Sequence, residues 1–316
     1  MSSKNLSYDR KYRPTRFEDV IGQTAVIKSL LGLLKDKSSV PHTFLFSGDS
    51  GLGKTTLARI IAWELGCENV NVLEIDGATY TGIDDMKNVC SGLEYASIGK
   101  SPIKFVIIDE AHSLSKKAWD SMLKITEEPP EHVYFVFCTT ELAKVPKALQ
   151  GQRCTSYNLK AVSIRDITEL LDYVVKEEKL ALKDNQVDVI AKEAQGSPRK
   201  ALNYLSKCRG CASVDEVREL LETFDEESTA EELFQLIVKG GSWDKVREVV
   251  KGLEISDFSG TRIAIFARLT AYVLNARNSE ESVRLLDKLY KLKGSFYIPQ
   301  TSKGEFLLML GDIFIR

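Results

Sequence analysis

Residues 48–55 read Gly-Asp-Ser-Gly-Leu-Gly-Lys-Thr, between an apolar run at 43–46 and a helix that should begin near Lys54. Gly48, Gly51 and Gly53 let the backbone N–H groups of the loop, with Asp49, Ser50 and Leu52 between them, turn inward around an anion, and the helix N-terminus adds positive potential. In such a loop Lys54 reaches the outer phosphates of a nucleotide, Thr55 can hold Mg²⁺, and Thr56 is expected among the nucleotide-binding residues. A second apolar run, Phe105 to Ile108, ends in two acids. Asp109 then faces the metal and Glu110 polarises a water for attack on the γ-phosphate. Alone, two acids after a strand often just start a loop; downstream of a phosphate loop at this spacing they favour hydrolysis over mere binding. A third run, 134–138, ends in Thr139 and Thr140, where a hydroxyl can meet the γ-phosphate or the water, or simply close a strand. His112, in Asp-Glu-Ala-His, is expected to face solvent or cap a helix, and with only three histidines no triad or metal cluster assembles.

The elements that must position these groups follow from periodicity. From residue 42 to about 140 short apolar runs alternate with amphipathic helical stretches, the pattern of an α/β parallel sheet covered by helices. Strands are expected at 42–47, 71–76, 104–109 and 134–139, with a short fifth near 156–159. Helices without strands come next: one opened by Ser163 and Asp166 and running to about Lys179, then 186–195 and 197–208. The acidic stretch Asp225, Glu226, Glu227, Glu231 and Glu232 is expected to be a solvated connector at a boundary. Apolar residues at helical spacing recur at Leu233, Phe234, Ile237 and Val238 and again at Ile263, Ile265, Phe266, Leu269, Val273 and Leu274. The tail, 304–316, is apolar enough that it should pack within its domain or meet a neighbour.

A length of 316 residues predicts two or three packed units. The 43 basic and 45 acidic side chains exclude a uniformly basic DNA coat, so any nucleic-acid surface must be local. No apolar run approaches the roughly 20 residues that span a bilayer, and residues 1–17 are polar, so no membrane role is expected and the setting should be cytoplasmic. Six scattered cysteines point to reduced thiols, and the lone pair Cys208 and Cys211 is expected to be buried or incidental rather than zinc-binding.

Several short stretches carry a specific resemblance: Tyr12-Arg13-Pro14, Phe17 through Gln23, the phosphate loop, Ile108 through His112, Glu127-Glu128-Pro129-Pro130-Glu131, Thr139-Thr140, Arg153-Cys154 and Gly196-Ser197-Pro198-Arg199. Together they resemble the clamp-loader ATPase subunits of the AAA+ superfamily, such as the bacterial DNA polymerase III γ/τ subunits, the small subunits of replication factor C and phage loaders. The likeness is dense to about residue 208 and rests on length and helical pattern beyond it. It implies a P-loop AAA+ parallel sheet over 1–160, a helical lid over 161–212 and an all-helical collar for oligomerisation over 213–316. It also implies an adenine pocket from Tyr12, Arg13, Pro14, Val20, Ile21, Gly22 and Gln23, a first sensor at Thr140 or Thr139 and a second at Arg199. Arg153 resembles the finger that reaches a neighbouring subunit's ATP, and Lys87, Ser115, Lys116 and Lys117 would face DNA. The implied cofactors are ATP and Mg²⁺; the implied partners are a sliding clamp, primer-template DNA and other loader subunits in a pentameric ring, at the replication site or, for a viral chain, in host cytoplasm.

Two departures stand out. Gln152 precedes Arg153 where the family usually has serine, with one extra residue back to Thr140, and the four-cysteine zinc module of γ/τ is missing. The alternatives are another AAA+ ring motor, for branch migration or protein remodelling, and a weakly hydrolysing stator. Tyr80-Thr81-Gly82 lies where unfoldases carry a pore loop, but Thr81 is polar.

Overall fold

Three of the strands carry an unbroken apolar run at their centres because both of their faces are covered. The computed structural model describes residues 7–37, 39–79, 83–93, 99, 101–151, 154–251, 258–275, 279–293 and 302–314, and it divides into two units, Met1–Val217 and Arg218–Arg316. In the first, β1 (Thr43–Ser47), β2 (Val72–Asp76), β3 (Lys104–Asp109), β4 (Val133–Thr139) and β5 (Thr155–Asn158) form one parallel sheet in the order β2-β3-β4-β1-β5. Side chains alternate across it as strand geometry demands. Phe44, Phe46, Phe105, Ile107, Val136 and Cys138 enter one core, and Leu45, Val106, Ile108, Phe135 and Phe137 enter the other. The edge strands β2 and β5 each keep exposed positions.

Helices fill both layers. They are α1 (Tyr8–Lys11), α2 (Thr24–Leu34), α3 (Lys54–Glu64), α4 (Ile83–Leu93), α5 (Lys116–Glu127) and α6 (Lys147–Gln150). From α3, Leu57, Ile60 and Ile61 pack under the first face; from α5, Trp119 and Met122 pack under the second. The next three, α7 (Ile164–Glu178), α8 (Asp184–Glu193) and α9 (Pro198–Cys208), pack on one another, and α1 lies against α9. Their starts are those the residues predict. The Ser163 hydroxyl accepts from the Asp166 N–H at 3.1 Å, the Ser197 hydroxyl accepts from the Lys200 N–H at 3.3 Å, and Pro198 occupies the first helical turn.

The acidic stretch is not a connector. It lies inside α10 (Val214–Lys239), a continuous helix of 26 residues, because Leu221, Leu233, Phe234 and Ile237 supply buried positions on either side of the acids. The second unit continues with α11 (Trp243–Lys251), α12 (Ser259–Asn275), α13 (Ser279–Lys293) and α14 (Lys303–Phe314). Its core joins Leu233, Ile237, Val246, Phe258, Ile265, Leu269, Leu285, Leu289, Phe306, Leu310 and Ile313. The apolar tail therefore packs within its own unit. Ile263 and Leu274, expected on the apolar face of α12, point outward, at 54% and 79% exposure. All six cysteines are free thiols, and among the described residues no helix is long and apolar enough to cross a membrane.

Candidate functional site

The parallel register brings the C-terminal ends of β1, β3 and β4 to one edge of the sheet: Ser47 pairs with Thr139, and Ile108 with Phe137. At that edge of a parallel sheet, loops and helix N-termini converge on ligands. The phosphate loop leaves β1 here with Gly48 at φ +135°, Gly51 at +78° and Gly53 at +100°, conformations that side-chain-bearing residues rarely adopt. Two glycines also have no room for a Cβ. At 48 it would stand 2.5 Å from the Leu159 carbonyl oxygen, and at 51 it would stand 2.3 Å from Ser197 Oγ.

Lys54 opens α3 and is buried, with its ammonium donating to the carbonyls of Gly48 at 2.7 Å and Asp49 at 2.8 Å. Burial pulls its pKa down, and the carboxylates of Glu110 and Asp109 pull it back up. Thr55 Oγ1 donates to Asp109 Oδ2 at 2.6 Å, while Asp109 Oδ1 accepts from the Glu110 N–H at 3.0 Å. This hydroxyl and carboxylate form an oxygen donor set suited to a hard divalent cation, so the residues present fit Mg²⁺. Glu110 has φ +47°, an uncommon backbone for a residue with a side chain, and its Oε2 accepts from Thr140 Oγ1 at 3.3 Å. Thr139 is fully buried beneath, its hydroxyl accepting from the Glu141 N–H at 3.0 Å.

The pocket above these groups is lined by Asp9, Tyr12, Arg13, Pro14, Asp19, Val20, Ile21, residues 50–56, Asp109, Glu110, Leu170, Pro198 and Arg199. Most of the residues predicted from sequence thus meet in one cavity. Arg13, Lys54 and Arg199 are the cations of the lining, and the pKa of Arg13 is lowered by burial and further by the charges of Arg59 and Arg199. Pro14, Val20, Ile21 and Leu170 supply apolar surface. Tyr12 donates its hydroxyl to Glu178 Oε1 on α7, packs edge-on against Tyr8 and Tyr173, and has its pKa raised by burial and by that carboxylate.

Other predicted residues stand apart from the lining. Gly22 has φ +63°, and Gln23 donates its side-chain amide to the Lys160 carbonyl at 2.6 Å, so this pair ties the N-terminal segment to the chain after β5. Asp49 is exposed and contributes its carbonyl, and Thr140 reaches the pocket through Glu110. Ser115 is the N-cap of α5, accepting from the Ala118 N–H at 3.2 Å, and Lys116 and Lys117 are exposed beside it. Arg153 and Tyr80-Thr81-Gly82 lie outside the described residues, as does the side chain of Lys87. His112 does not face solvent: 5% of its side chain is exposed, and Glu110 and Glu141 meet its two ring nitrogens. Sequence reasoning passed over Asp9, Asp19 and Leu170. Asp19 lies inside the Phe17–Gln23 stretch without having been given a role and Asp9 lies three residues before Tyr12, whereas Leu170 is one of many apolar residues on α7.

Residues 44–160 match the family "ATPase family associated with various cellular activities (AAA)". The chain is 36% identical over 217 residues to DNA polymerase III subunit gamma of Buchnera aphidicola subsp. Acyrthosiphon pisum, covering 62% of this chain and 59% of the relative. It is 33% identical over 243 residues to DNA polymerase III subunit tau of Escherichia coli, covering 69% and 37%. It thus spans well under two thirds of either relative. These relatives bear out the resemblance stated from the motifs. Among solved structures, Thermotoga maritima RuvB superposes with a TM-score of 0.57 at 22% identity, over 83% of this chain and 87% of that one, a likeness of fold.

Proposed function

We propose that this chain, built around an AAA-family ATPase domain at residues 44–160, is an ATP-hydrolysing subunit of a sliding-clamp loader. The observation that carries the reading is a single pocket holding the phosphate loop, the two acids of β3 and Arg199 of the lid. ATP lies with its base against Tyr12, Pro14, Val20 and Ile21 and its phosphates on the loop N–H groups, Lys54 and Arg199. Thr55 and Asp109 would hold Mg²⁺, which would neutralise charge on the phosphates. Glu110 orients the attacking water and Thr140 holds Glu110. Arg153 extends to the ATP of a neighbouring subunit in a pentameric ring, so turnover depends on assembly. Lys87, Ser115, Lys116 and Lys117 face primer-template DNA. ATP binding opens the clamp and places it on DNA, and hydrolysis releases it.

The similarity to DNA polymerase III subunits supports this role over that of a branch-migration motor, for which only a shared fold speaks. Lys54, Thr55, Asp109 and Glu110 around one cavity speak against a stator that merely supplies its finger. The deciding assay is ATP turnover by the chain with its partner subunits, with and without clamp and primer-template DNA. Stimulation by both together is expected. Stimulation by four-way junction DNA instead would overturn the loader reading.

A further inference from the structure

His112 is held between two carboxylates. Its Nδ1 lies 3.3 Å from Glu110 Oε2 and 3.3 Å from Thr139 Oγ1, and its Nε2 lies 3.2 Å from Glu141 Oε1. At the other two histidines a ring nitrogen lies against a backbone carbonyl rather than a carboxylate: His42 Nδ1 lies 2.8 Å from that of Val133, and His132 Nε2 lies 3.1 Å from that of Leu93. A polar ring buried this deeply costs free energy unless its nitrogens are met, and here the partners that meet them follow two different strands, Glu110 after β3 and Glu141 after β4. Glu141 also pairs with Lys144 through Oε2. Gln150 closes the stretch that Glu141 begins, donating its side-chain amide to the carbonyls of Leu142 at 2.9 Å and Val145 at 2.6 Å. That stretch, 141–150, leads in sequence towards Arg153.

We propose that His112 is a positioning residue that couples Glu110 to the 141–150 segment, so that a shift of the segment turns the carboxylate that orients water. The inference rests on the reading of Glu110 given above and adds a route by which the 141–150 segment acts on this chain's own site. Two details make Glu110 responsive. Both the His112 and Thr140 contacts fall on one oxygen, Oε2, which sets the rotation of the carboxylate, and the backbone at φ +47° already stands outside the commonly occupied regions.

Asparagine can place an amide where Nδ1 stands, and glutamine can place one where Nε2 stands. His112→Asn therefore keeps the arm to Glu110, and His112→Gln keeps the arm to Glu141. In the chain with its partners, each variant cuts one arm of the coupling, so both should lower kcat for ATP by about tenfold or more with KM unchanged. Wild-type kcat in either variant would overturn the proposal. The second measurement needs no turnover: with histidine ring nitrogens labelled with ¹⁵N, only three side chains report, and Glu141→Gln should move both His112 nitrogens while leaving His42 and His132 in place. Unmoved His112 signals would overturn the coupling even if ATPase activity is normal. Absent wild-type turnover beside shifted signals would instead sink the hydrolysis reading and leave the coupling standing.

Discussion

Replacing Gly51 with alanine tests whether the phosphate loop is wedged against the start of α9. The new Cβ would stand 2.3 Å from Ser197 Oγ and 3.1 Å from Arg199 Cβ, on a backbone with φ +78°. The positive φ costs an L-residue roughly 1–2 kcal/mol. Ser197 cannot yield freely, because its hydroxyl caps α9 at Lys200 and also reaches the Ser50 carbonyl at 3.4 Å; loss of the cap adds about 1 kcal/mol. Gly53→Ala is the control, since its φ of +100° imposes a comparable backbone strain while nothing lies within 4 Å of the added Cβ. The difference between the variants, about 1 kcal/mol, corresponds to roughly 2–4 °C in Tm for a unit of this size. Thermal unfolding followed by circular dichroism, without nucleotide, should therefore place Gly51→Ala below Gly53→Ala by that margin. Equal midpoints would refute the claim that the loop and α9 are in contact.

Lys54→Ala should abolish tight ATP binding, because the outer phosphates lose the loop's one cation, and titration with a fluorescent ATP analogue checks it; unchanged affinity removes the phosphate-loop assignment. Glu110→Gln should bind ATP as before and lose turnover by about a hundredfold or more; normal hydrolysis would mean that another group orients the water. Arg153→Ala should spare the chain's own ATP binding and slow hydrolysis in the assembled complex, with partial recovery when it is mixed with Lys54→Ala chains carrying an intact finger. Wild-type rates in the Arg153→Ala complex would withdraw that assignment. Burial, with the neighbouring Cys211 thiol, pushes the Cys208 thiol up to about 12, so at pH 8 it stays neutral and alkylation with iodoacetamide, read by peptide mass, should be at least about a hundredfold slower than in the unfolded chain. Reactivity rises only as pH approaches the raised value; fast labelling at pH 8 would contradict the packing.

The strands were legible where both faces are buried. β1, β3 and β4 read as unbroken apolar runs, and their observed limits differ from the expected ones by a residue at most. The loop was legible because glycine, lysine and threonine at this spacing have few other uses. What escaped depends on contacts between segments far apart in sequence. The acids at 225–232 carry the composition of a connector, yet apolar residues before and after them hold one helix together. His112 could not be placed from its neighbours in sequence, because the group that closes one side of it, Glu141, comes from the end of another strand. Tyr12 was expected at the base; that its hydroxyl is taken up by Glu178 follows only once α7 lies beside α1.

The bonds from Lys54 to the carbonyls of Gly48 and Asp49 bear on how ligands come and go. A buried ammonium left bare would be costly, and a loop built around one would collapse or admit water at each turnover. Here the loop supplies its own stand-in acceptors. On the nucleotide-binding reading proposed above, an arriving phosphate exchanges neutral oxygens for charged ones, and a departing phosphate hands the lysine back to the backbone. Arrival and departure are both substitutions at a cation that is always satisfied, so the cradle can keep its shape between one nucleotide and the next.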